Sequence, residues 1–278
     1  MIRTAPLEQA ELAIIGAGCA GLSLARQLVR TEKTSSIKAC LYGPVSPAAT
    51  NRHSWGFWAT QGLKEQTELA RQRWHKWQII TAERKVTQTA DSHPYCRLDS
   101  RDWLTHCLNI IDGNIQQEPD NLPTPGAKPV FDSRPPNVPD GAMLQHFKGV
   151  EIKAAQPCFS PDTAILMDFR CDQSRGIHFI YLLPYSPTEA LVESTMLSPK
   201  RQNDEFYAEA IKTYLETYWA TGGWQINHTE QGCIPMAFVQ PANPDYLPIG
   251  ANGGCVRPSS GYAFAFIQKH TDAIVDRL

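Results

Sequence analysis

The sequence predicts an α/β fold that combines a Rossmann-like βαβ unit with a second, mainly antiparallel sheet. Two observations support this prediction. An apolar strand, a glycine-rich turn, a helix and another strand follow one another near the N-terminus. Further along, segments rich in β-branched and aromatic residues are separated by turn residues, which is typical of antiparallel strands. The chain of 278 residues is long enough for a nucleotide-binding domain and a second lobe.

The βαβ unit carries a Gly-x-Gly-x-x-Gly motif formed by Gly16, Gly18 and Gly21. The first glycine permits a tight turn, the second lets backbone approach a pyrophosphate, and the third allows close helix packing. We therefore predict a dinucleotide site, although the second strand ends in ACLYGP, without the usual ribose-binding acid. The predicted elements are a strand at 11–15, a helix from about 19 to 30 and a strand at 37–42.

A second glycine-rich turn, IGANGG, precedes RPSSGY and a predicted helix from about residue 262. Proline near a helix start is favourable because its missing N–H would be unpaired there. Two such turns suit a large ligand held at both ends, such as FAD, better than a mononucleotide. The alternative is a plain loop.

The region between the turns holds the other predicted elements. Residues 112–139 are rich in turn-forming residues, and only PVFDSRP reads as a strand there. The aromatic stripe of a helix at 204–220 indicates core packing. The other predictions are a helix at about 65–72, short strands within 79–104, a helix capped by Asp99, and a second sheet from 145–153, 177–183, 190–196 and 224–229.

Glu193 is the most informative single residue, because it stands in the second strand of an apolar hairpin. Side-chain alternation places Leu191, Glu193 and Thr195 on one face of that strand. If the face is buried, desolvation favours the neutral acid and raises its pKa, which creates a proton donor near neutral pH. From this segment alone, an edge strand with Glu193 in water is the favoured interpretation.

Composition excludes several classes of function. The formal net charge is -2, which argues against a general affinity for nucleic acid. The eight cysteines contain no CxxC pair and no cluster at zinc spacing, so no metal site is expected and a reducing cytoplasm is favoured. No apolar run has the length of a membrane-spanning helix, so any membrane contact is expected to be peripheral.

Several motifs together resemble the FAD-binding lycopene cyclase family of carotenoid biosynthesis. These are GAGCAG, HSWGFW, PVFDSRP, LQHFKGVEI, GCIPM and IGANGGCVRPSSGY. The most specific is FIYLLPYSPTEALVEST, in which Glu193 falls on the first acid of the family's acidic triplet. The chain departs from the family at Ser194, which replaces the second acid, and at Arg257, which replaces a histidine. It is also shorter before PVFDSRP.

The resemblance implies that the end groups of lycopene or a related carotenoid are closed into β-ionone-type rings without net redox change. It implies reduced FAD, NADPH as electron donor, and a polyene drawn from a membrane surface. Glu193 is the expected acid, or a base that relays through the reduced flavin, and Asp168 is either a second catalytic carboxylate or an ion-pair partner of Arg170. The expected cofactor-binding residues are Gly16, Gly18, Gly21, Asp132, Arg134, Gly250, Gly254, Pro258, Gly261 and Tyr262. For Asp132 and Arg134 the alternative is the locking of a loop. The expected pocket residues are Trp55, Phe57, Trp58 and Tyr181, with core packing as the alternative for the first three.

We expect one flavoprotein-like unit over residues 1–278, cytoplasmic and peripherally membrane-associated. Its nucleotide-binding part is predicted at about 1–55, 112–140 and 230–278, and its substrate lobe at about 56–111 and 141–229. Two alternatives remain. One is an FAD-dependent hydroxylase or oxidoreductase of the same fold, and the other is a truncated, inactive homologue.

Overall fold

The computed structural model describes residues 10–44, 52–118, 122–126, 128–219 and 222–278, which contain three β-sheets and five α-helices. The helices are α1 (Cys19–Arg30), α2 (Lys64–Leu69), α3 (Ser100–Ile111), α4 (Asp204–Tyr218) and α5 (Phe264–Val275). The strands are β1 (Leu12–Ile15), β2 (Ala39–Tyr42), β3 (Ser54–Trp58), β4 (Gln72–Trp74), β5 (Lys76–Ile80), β6 (Lys85–Thr89), β7 (Tyr95–Asp99), β8 (Gln116–Glu118), β9 (Val130–Asp132), β10 (Leu144–Ala154), β11 (Thr163–Asp168), β12 (Ile177–Pro184), β13 (Glu189–Ser198), β14 (Trp224–Pro235) and β15 (Leu247–Pro248).

The first sheet is parallel and has the strand order β15-β9-β1-β2-β8. All four residues of β1 and of β2 are buried, as expected for parallel strands that are covered on both faces. Helices α3 and α5 both pack against α1 in the associated core. This sheet confirms the predicted βαβ unit, while β8 lies in the stretch that was predicted to be loop.

The second sheet has seven strands in the order β14-β10-β13-β12-β11-β5-β6. Its pairs are antiparallel except for β5 with β11, which confirms the predicted, mainly antiparallel second sheet. Strand β13 lies between β10 and β12, so the interpretation of an edge strand with Glu193 in water is wrong. A hairpin's sequence does not show which further strand pairs with it.

A third sheet, β3-β7-β4, joins the other two. Phe57 and Leu98 belong to the core around α1, whereas Trp74 and Tyr95 belong to the core under the seven-stranded sheet. Helix α3 packs on α1, although the predicted division assigns residues 56–111 to the substrate lobe. The exact division of the chain into two parts therefore stays a prediction.

Two of the helices clarify predicted features. The Asp99 carboxylate accepts a hydrogen bond from the Arg101 backbone N–H and caps α3, as predicted. In α4 the buried face comprises Tyr207, Ile211, Tyr214 and Leu215, and Tyr218 is 40% exposed. The predicted stripe of core aromatics is therefore shifted around the helix.

None of the helices in the described ranges has both the length and the apolar character needed to cross a bilayer.

Candidate active site

The turn between β1 and α1 has the geometry of a phosphate cradle. Gly16 has φ +95°, and a Cβ on Gly21 would lie 1.8 Å from the Gly16 carbonyl oxygen, so only glycine fits at position 21. Within the described ranges, a Cβ on Gly18 would meet no atom within 4 Å, which leaves this side of the turn open there. Gly18 caps α1 without a side-chain hydrogen bond, and the first turn of the helix has no acid. The amides at the start of α1 are therefore oriented toward an open space suited to an anion.

The second glycine-rich turn lies against the same helix end. Gly250 has φ +64°, and a Cβ there would lie 2.5 Å from the Ala20 Cβ. The Ile249 N–H and the Asn252 side-chain amide both donate to the Asp132 carbonyl oxygen. The two predicted turns thus converge, as a ligand held at both ends requires. Further along the same loop, Gly254 has φ +77° and Pro258 is exposed.

Asp132 and Arg134 form an ion pair with two parallel hydrogen bonds, from Nε at 2.9 Å and Nη2 at 2.8 Å. The Asp132 side chain is fully buried, and its backbone anchors the second glycine turn. Of the two roles considered for this pair, the structure thus displays the locking of a loop.

The end of β2, where a ribose-binding acid was expected, carries the buried Tyr42 instead. Its register partner on the neighbouring strand β8 is an acid, Glu118.

A cavity of about 350 Å³ lies between the seven-stranded sheet, β3, β7 and the loop before α5. This volume falls within the usual range for small-molecule pockets, roughly 300–1,000 Å³. The cavity reaches Cys19 at the start of α1, so it adjoins the phosphate cradle. Its aromatic walls include Trp55, Tyr95, Phe147, Tyr181, Tyr262 and Phe264.

Glu193 lies in the cavity wall at the centre of β13 and is 9% exposed. Burial and the nearby charge of Glu230 raise the pKa of Glu193 to about 8, against a lowering contribution from the Thr195 hydroxyl. That hydroxyl donates to Glu193 Oε1 at 2.6 Å. At neutral pH Glu193 is therefore mostly protonated, and it faces an apolar space.

Glu230 on β14 is a second carboxylate in the cavity wall, and sequence reasoning missed it. Burial raises its pKa to about 7, while the Ser54 backbone N–H, which donates to Oε2 at 2.7 Å, lowers it. In the sequence Glu230 belongs to the polar run INHTEQG, which carries no sign of burial. Only the long-range pairing of β14 with β10 brings it to the cavity.

Three glycines make room for cavity side chains. A Cβ on Gly56 would lie 1.9 Å from the Tyr95 hydroxyl oxygen, and one on Gly232 would lie 2.5 Å from Phe147 Cζ. A Cβ on Gly261, where φ is +70°, would lie 2.2 Å from Gln145 Oε1. The glycines of HSWGFW, EQGCIPM and SSGY are therefore explained by close packing around the cavity.

The predicted aromatic pocket residues divide between the cavity and the cores. Trp55 and Tyr181 line the cavity, as does Tyr262, which was predicted to contact the cofactor. Phe57 is buried in the core, with its ring centroid 5.1 Å from that of Phe264. Trp58 packs between Trp77 and Tyr95, outside the cavity wall. Core packing, the alternative considered for these residues, therefore describes Phe57 and Trp58.

Asp168 does not reach the cavity. Its carboxylate accepts hydrogen bonds from Arg170 Nε at 2.9 Å and Nη2 at 2.7 Å, and from the Tyr214 hydroxyl at 2.8 Å. Tyr214 belongs to α4, which packs on the opposite face of the sheet from Glu193. The ion pair is thus the observed role of Asp168, and a catalytic role is not compatible with this position.

Ser194 also faces away from the cavity, where its hydroxyl contacts His178 Nε2 at 2.8 Å. Strand alternation puts neighbouring residues on opposite faces, so a carboxylate at position 194 would not join Glu193. The loss of the second acid of the triplet therefore leaves the cavity unchanged.

Comparison with known proteins gives a consistent result. The family profile described as "Lycopene cyclase protein" matches residues 11–111 and 118–278. The lycopene beta-cyclase of Pantoea ananas is 26% identical over 291 residues, covering 96% of this chain and 73% of that protein. The lycopene beta-cyclase of Paracoccus sp. (strain N81106 / MBIC 01143) is 30% identical over 140 residues, covering 47% of this chain and 35% of that protein.

Solved structures share the fold at low identity. A geranylgeranyl bacteriochlorophyll reductase-like protein from Thermoplasma acidophilum aligns with a TM-score of 0.71 and 12% identity, over 96% of this chain and 78% of that one. A flavin-dependent brominase aligns with a TM-score of 0.64 and 12% identity, over 96% of this chain and 79% of that one. Since the family profile spans most of the sequence, the chain belongs to the lycopene cyclase family.

Proposed function

We propose that this protein closes the linear end groups of lycopene, or of a related carotenoid, into β-ionone-type rings by acid–base chemistry without net redox change. The observation that carries the proposal is Glu193, a buried carboxylic acid in the wall of an aromatic cavity. Protonation of a terminal double bond needs a loaded acid near neutral pH, and a pKa of about 8 supplies one.

The cavity wall supports a cationic intermediate. The rings of Trp55, Tyr181 and Phe264 line the cavity, and aromatic rings stabilise positive charge by cation–π attraction. Burial raises the pKa of Tyr95, Tyr181 and Tyr262, so their hydroxyls are neutral. A carbocation would therefore meet no competing anionic nucleophile among these tyrosines.

Reduced FAD, with NADPH as electron donor, is the cofactor that we assign to the glycine cradle. When bound, a reduced flavin supplies electron density that stabilises or deprotonates a cation without transferring a hydride. Gly18 leaves space for a pyrophosphate, and the uncapped start of α1 offers amides to it. Gly250, which packs on Ala20 at the start of α1, and the cavity residues Gly261 and Tyr262 would help to hold the cofactor.

The test is expression in bacteria that accumulate lycopene, with the pigments separated by chromatography. Wild type should convert lycopene into a ring-bearing product, and Glu193→Gln should lower conversion by about 100-fold or more, as for loss of a general acid. The matched control is Glu189→Gln on the same strand, outside the cavity wall, which should behave as wild type.

Other outcomes identify the alternatives. If wild type leaves lycopene unchanged while a known cyclase converts it, the cyclase proposal fails. NADPH oxidation with stoichiometric oxygen consumption and an oxygenated product would indicate the hydroxylase instead. A folded wild-type protein that neither retains flavin nor alters any pigment would indicate an inactive homologue.

A further inference from the structure

Glu193 and Glu230 stand in one row across three strands, with Gly149 between them. Gly149 of β10 is the register partner of Glu193 on β13 and also of Glu230 on β14. Partners in register point to the same face of a sheet, and two strand spacings separate the outer backbones by about 10 Å. Both carboxylates therefore face the cavity from neighbouring positions.

Gly149 lets the Glu230 side chain lie close over the backbone between the two acids. A Cβ on Gly149 would lie 3.2 Å from Glu230 Cγ and 3.4 Å from Glu230 Oε1. The Glu230 side chain thus leans over the glycine, in the direction of β13 and Glu193. A larger residue at position 149 would lie in its path.

The two acids have different surroundings. Glu193 has one hydrogen-bond donor, the Thr195 hydroxyl, in the described part of the protein. Glu230 accepts the Ser54 N–H and lies 3.8 Å from His53 Nδ1. The charges of Arg97 and Arg52 also favour its ionised form. Glu230 therefore loses its proton at lower pH than Glu193, and its negative charge keeps Glu193 protonated.

We propose that Glu230 is the second catalytic carboxylate, the base that completes the reaction started by Glu193. This inference rests on the proposed cyclase function. The Glu193 O–H bond breaks as a C–H bond forms at the terminal double bond, and the cation is attacked by a second double bond to close the ring. Glu230 then takes a proton from a carbon beside the new cation, and that C–H electron pair forms the ring double bond.

The pair must be reset after each ring, so Glu230 releases its proton to solvent and Glu193 takes one up from solvent. His53 offers a route to solvent, because its side chain is 33% exposed and its Nδ1 faces Glu230. Burial and the neighbouring His228 lower the pKa of His53, so the ring is neutral and able to accept a proton. Every proton taken from the substrate is thus balanced by the one delivered to it.

The two arginines near the pair already have a carboxylate partner. Arg52 Nη2 and Arg97 Nη2 donate to Glu151 Oε1 at 2.6 and 2.5 Å, so their charges are shared with that carboxylate. The groups that face the pair are Tyr181 on β12, Glu151 on β10, Tyr95 and Arg97 on β7, Arg52 and His53 before β3, Tyr185 after β12, and Tyr262 before α5.

The test uses the full chain loaded with reduced FAD and lycopene in vesicles, and measures conversion from about pH 5 to about pH 9. The variants are Glu230→Gln and Glu230→Asp, with Glu189→Gln as control, and flavin content and melting temperature are recorded for each. Wild type should give a bell-shaped profile. Glu230→Gln should lose about 100-fold or more of the rate, with flavin content preserved.

The residual activity of Glu230→Gln is diagnostic. The pH profile of this variant should lack the acidic limb, because that limb reports protonation of Glu230. Its alkaline limb should move to lower pH, because the charge that raises the pKa of Glu193 is gone. Glu230→Asp keeps a carboxylate, so it should recover part of the rate and retain the acidic limb.

Three results would overturn the inference. One is a Glu230→Gln enzyme with the wild-type rate and profile. Another is a Glu230→Asp enzyme that converts lycopene without an acidic limb, a test that holds even if Glu230→Gln does not fold. The third is no conversion by wild type, which would reject the cyclase function itself and is visible before any variant is made.

Discussion

At the scale of single residues, Glu193 is maintained at a cost to stability. Its pKa in the folded protein is about 8, against an ordinary value of 4.5. Between these two pH values the folded state binds a proton that the unfolded state has released, so the free energy of unfolding falls as pH rises. The stability that the folded state has while Glu193 is protonated is fully present below pH 4.5 and is lost as the pH rises to about 8.

Glu193→Gln should therefore be more heat-stable than wild type at pH 8 and close to wild type at pH 4.5. The expected gain at the higher pH is several degrees, since about 1 kcal/mol shifts the melting temperature of a chain of this size by roughly 2–4 °C. Thermal unfolding followed by circular dichroism measures it. Equal melting temperatures for both proteins at both pH values would show that Glu193 is not a buried acid.

Sequence reasoning at this scale succeeded where the signal was local. Alternation along β13 predicted the face shared by Leu191, Glu193 and Thr195, and the structure has them on one face. Glu230 could not be found in the same way, since its burial depends on β14 pairing with β10, about 80 residues earlier in the chain. The ion pair of Asp168 and Arg170 was predicted as an alternative because the two residues are near neighbours.

At the scale of elements, the β1–α1 turn separates a folding role from a binding role. Gly21→Ala places a Cβ 1.8 Å from a backbone oxygen, so it should destabilise the protein itself, by several degrees or more in melting temperature. The Cβ of Gly18→Ala meets no atom of a described residue within 4 Å, and Gly18 has a φ of -90°, so the flavin-free protein should melt as wild type does.

Gly18→Ala should nevertheless lose flavin, because its methyl group would occupy the open side of the cradle. Flavin retained after purification is measured by its visible absorbance, and melting curves are recorded on flavin-free protein. A Gly18→Ala protein that retains flavin like wild type would refute the assignment of the cradle. A Gly21→Ala protein of wild-type stability would refute the packing argument.

Elements with a clear pattern in their own sequence were predictable, and short strands that form only by pairing with a distant strand were not. The glycine turn, α1 and the β12–β13 hairpin have their predicted positions. No strand was predicted at β3, at β4 or at the start of β5. These short strands exist because β7 and β11 pair with them, and a three-residue strand such as β4 has no period of its own.

At the scale of the whole molecule, we propose that the loops after β14 and before β10 contact a lipid surface. Phe238 is 93% exposed, and Val138 and Met143 are 43% and 44% exposed. The two loops are joined by the Asn137–Gln240 bridge and by the Met236 N–H, which donates to the Met143 carbonyl. One loop follows β14 and the other precedes β10, and both strands carry residues that line the cavity. An apolar polyene would then enter directly from lipid.

Phe238→Asp should weaken binding to phosphatidylcholine–phosphatidylglycerol vesicles severalfold, because it removes exposed apolar surface and adds negative charge. Flotation on a density gradient measures the bound fraction. Ile226→Asp is the matched control, since Ile226 is 57% exposed but lies at the opposite end of β14, roughly 30 Å away along the strand. Equal losses in both variants, or in neither, would reject the loops as the contact.

The fold class was predictable from the sequence because its two parts have different patterns. One part shows a strand, a glycine-rich turn, a helix and a strand, and the other shows β-rich segments separated by turn residues. The arrangement of the cavity was not, since it needs the three-stranded sheet, the seven-stranded sheet and the loop before α5 to meet at Gly56, Gly149 and Gly261, where small residues allow close approach. Each glycine is visible in the sequence, but the side chain that occupies its space comes from a distant segment.

The most direct test of Glu193 as proton donor is the reaction of reduced, flavin-loaded protein with lycopene in vesicles in D₂O, without oxygen. An exchangeable carboxylic acid delivers a deuteron to the terminal double bond, and the proton lost afterwards comes from another carbon. Mass spectrometry of the product should therefore show one deuterium for each ring formed, and Glu193→Gln should form almost none. Rings without deuterium, or rings formed by Glu193→Gln at the wild-type rate, would contradict the account.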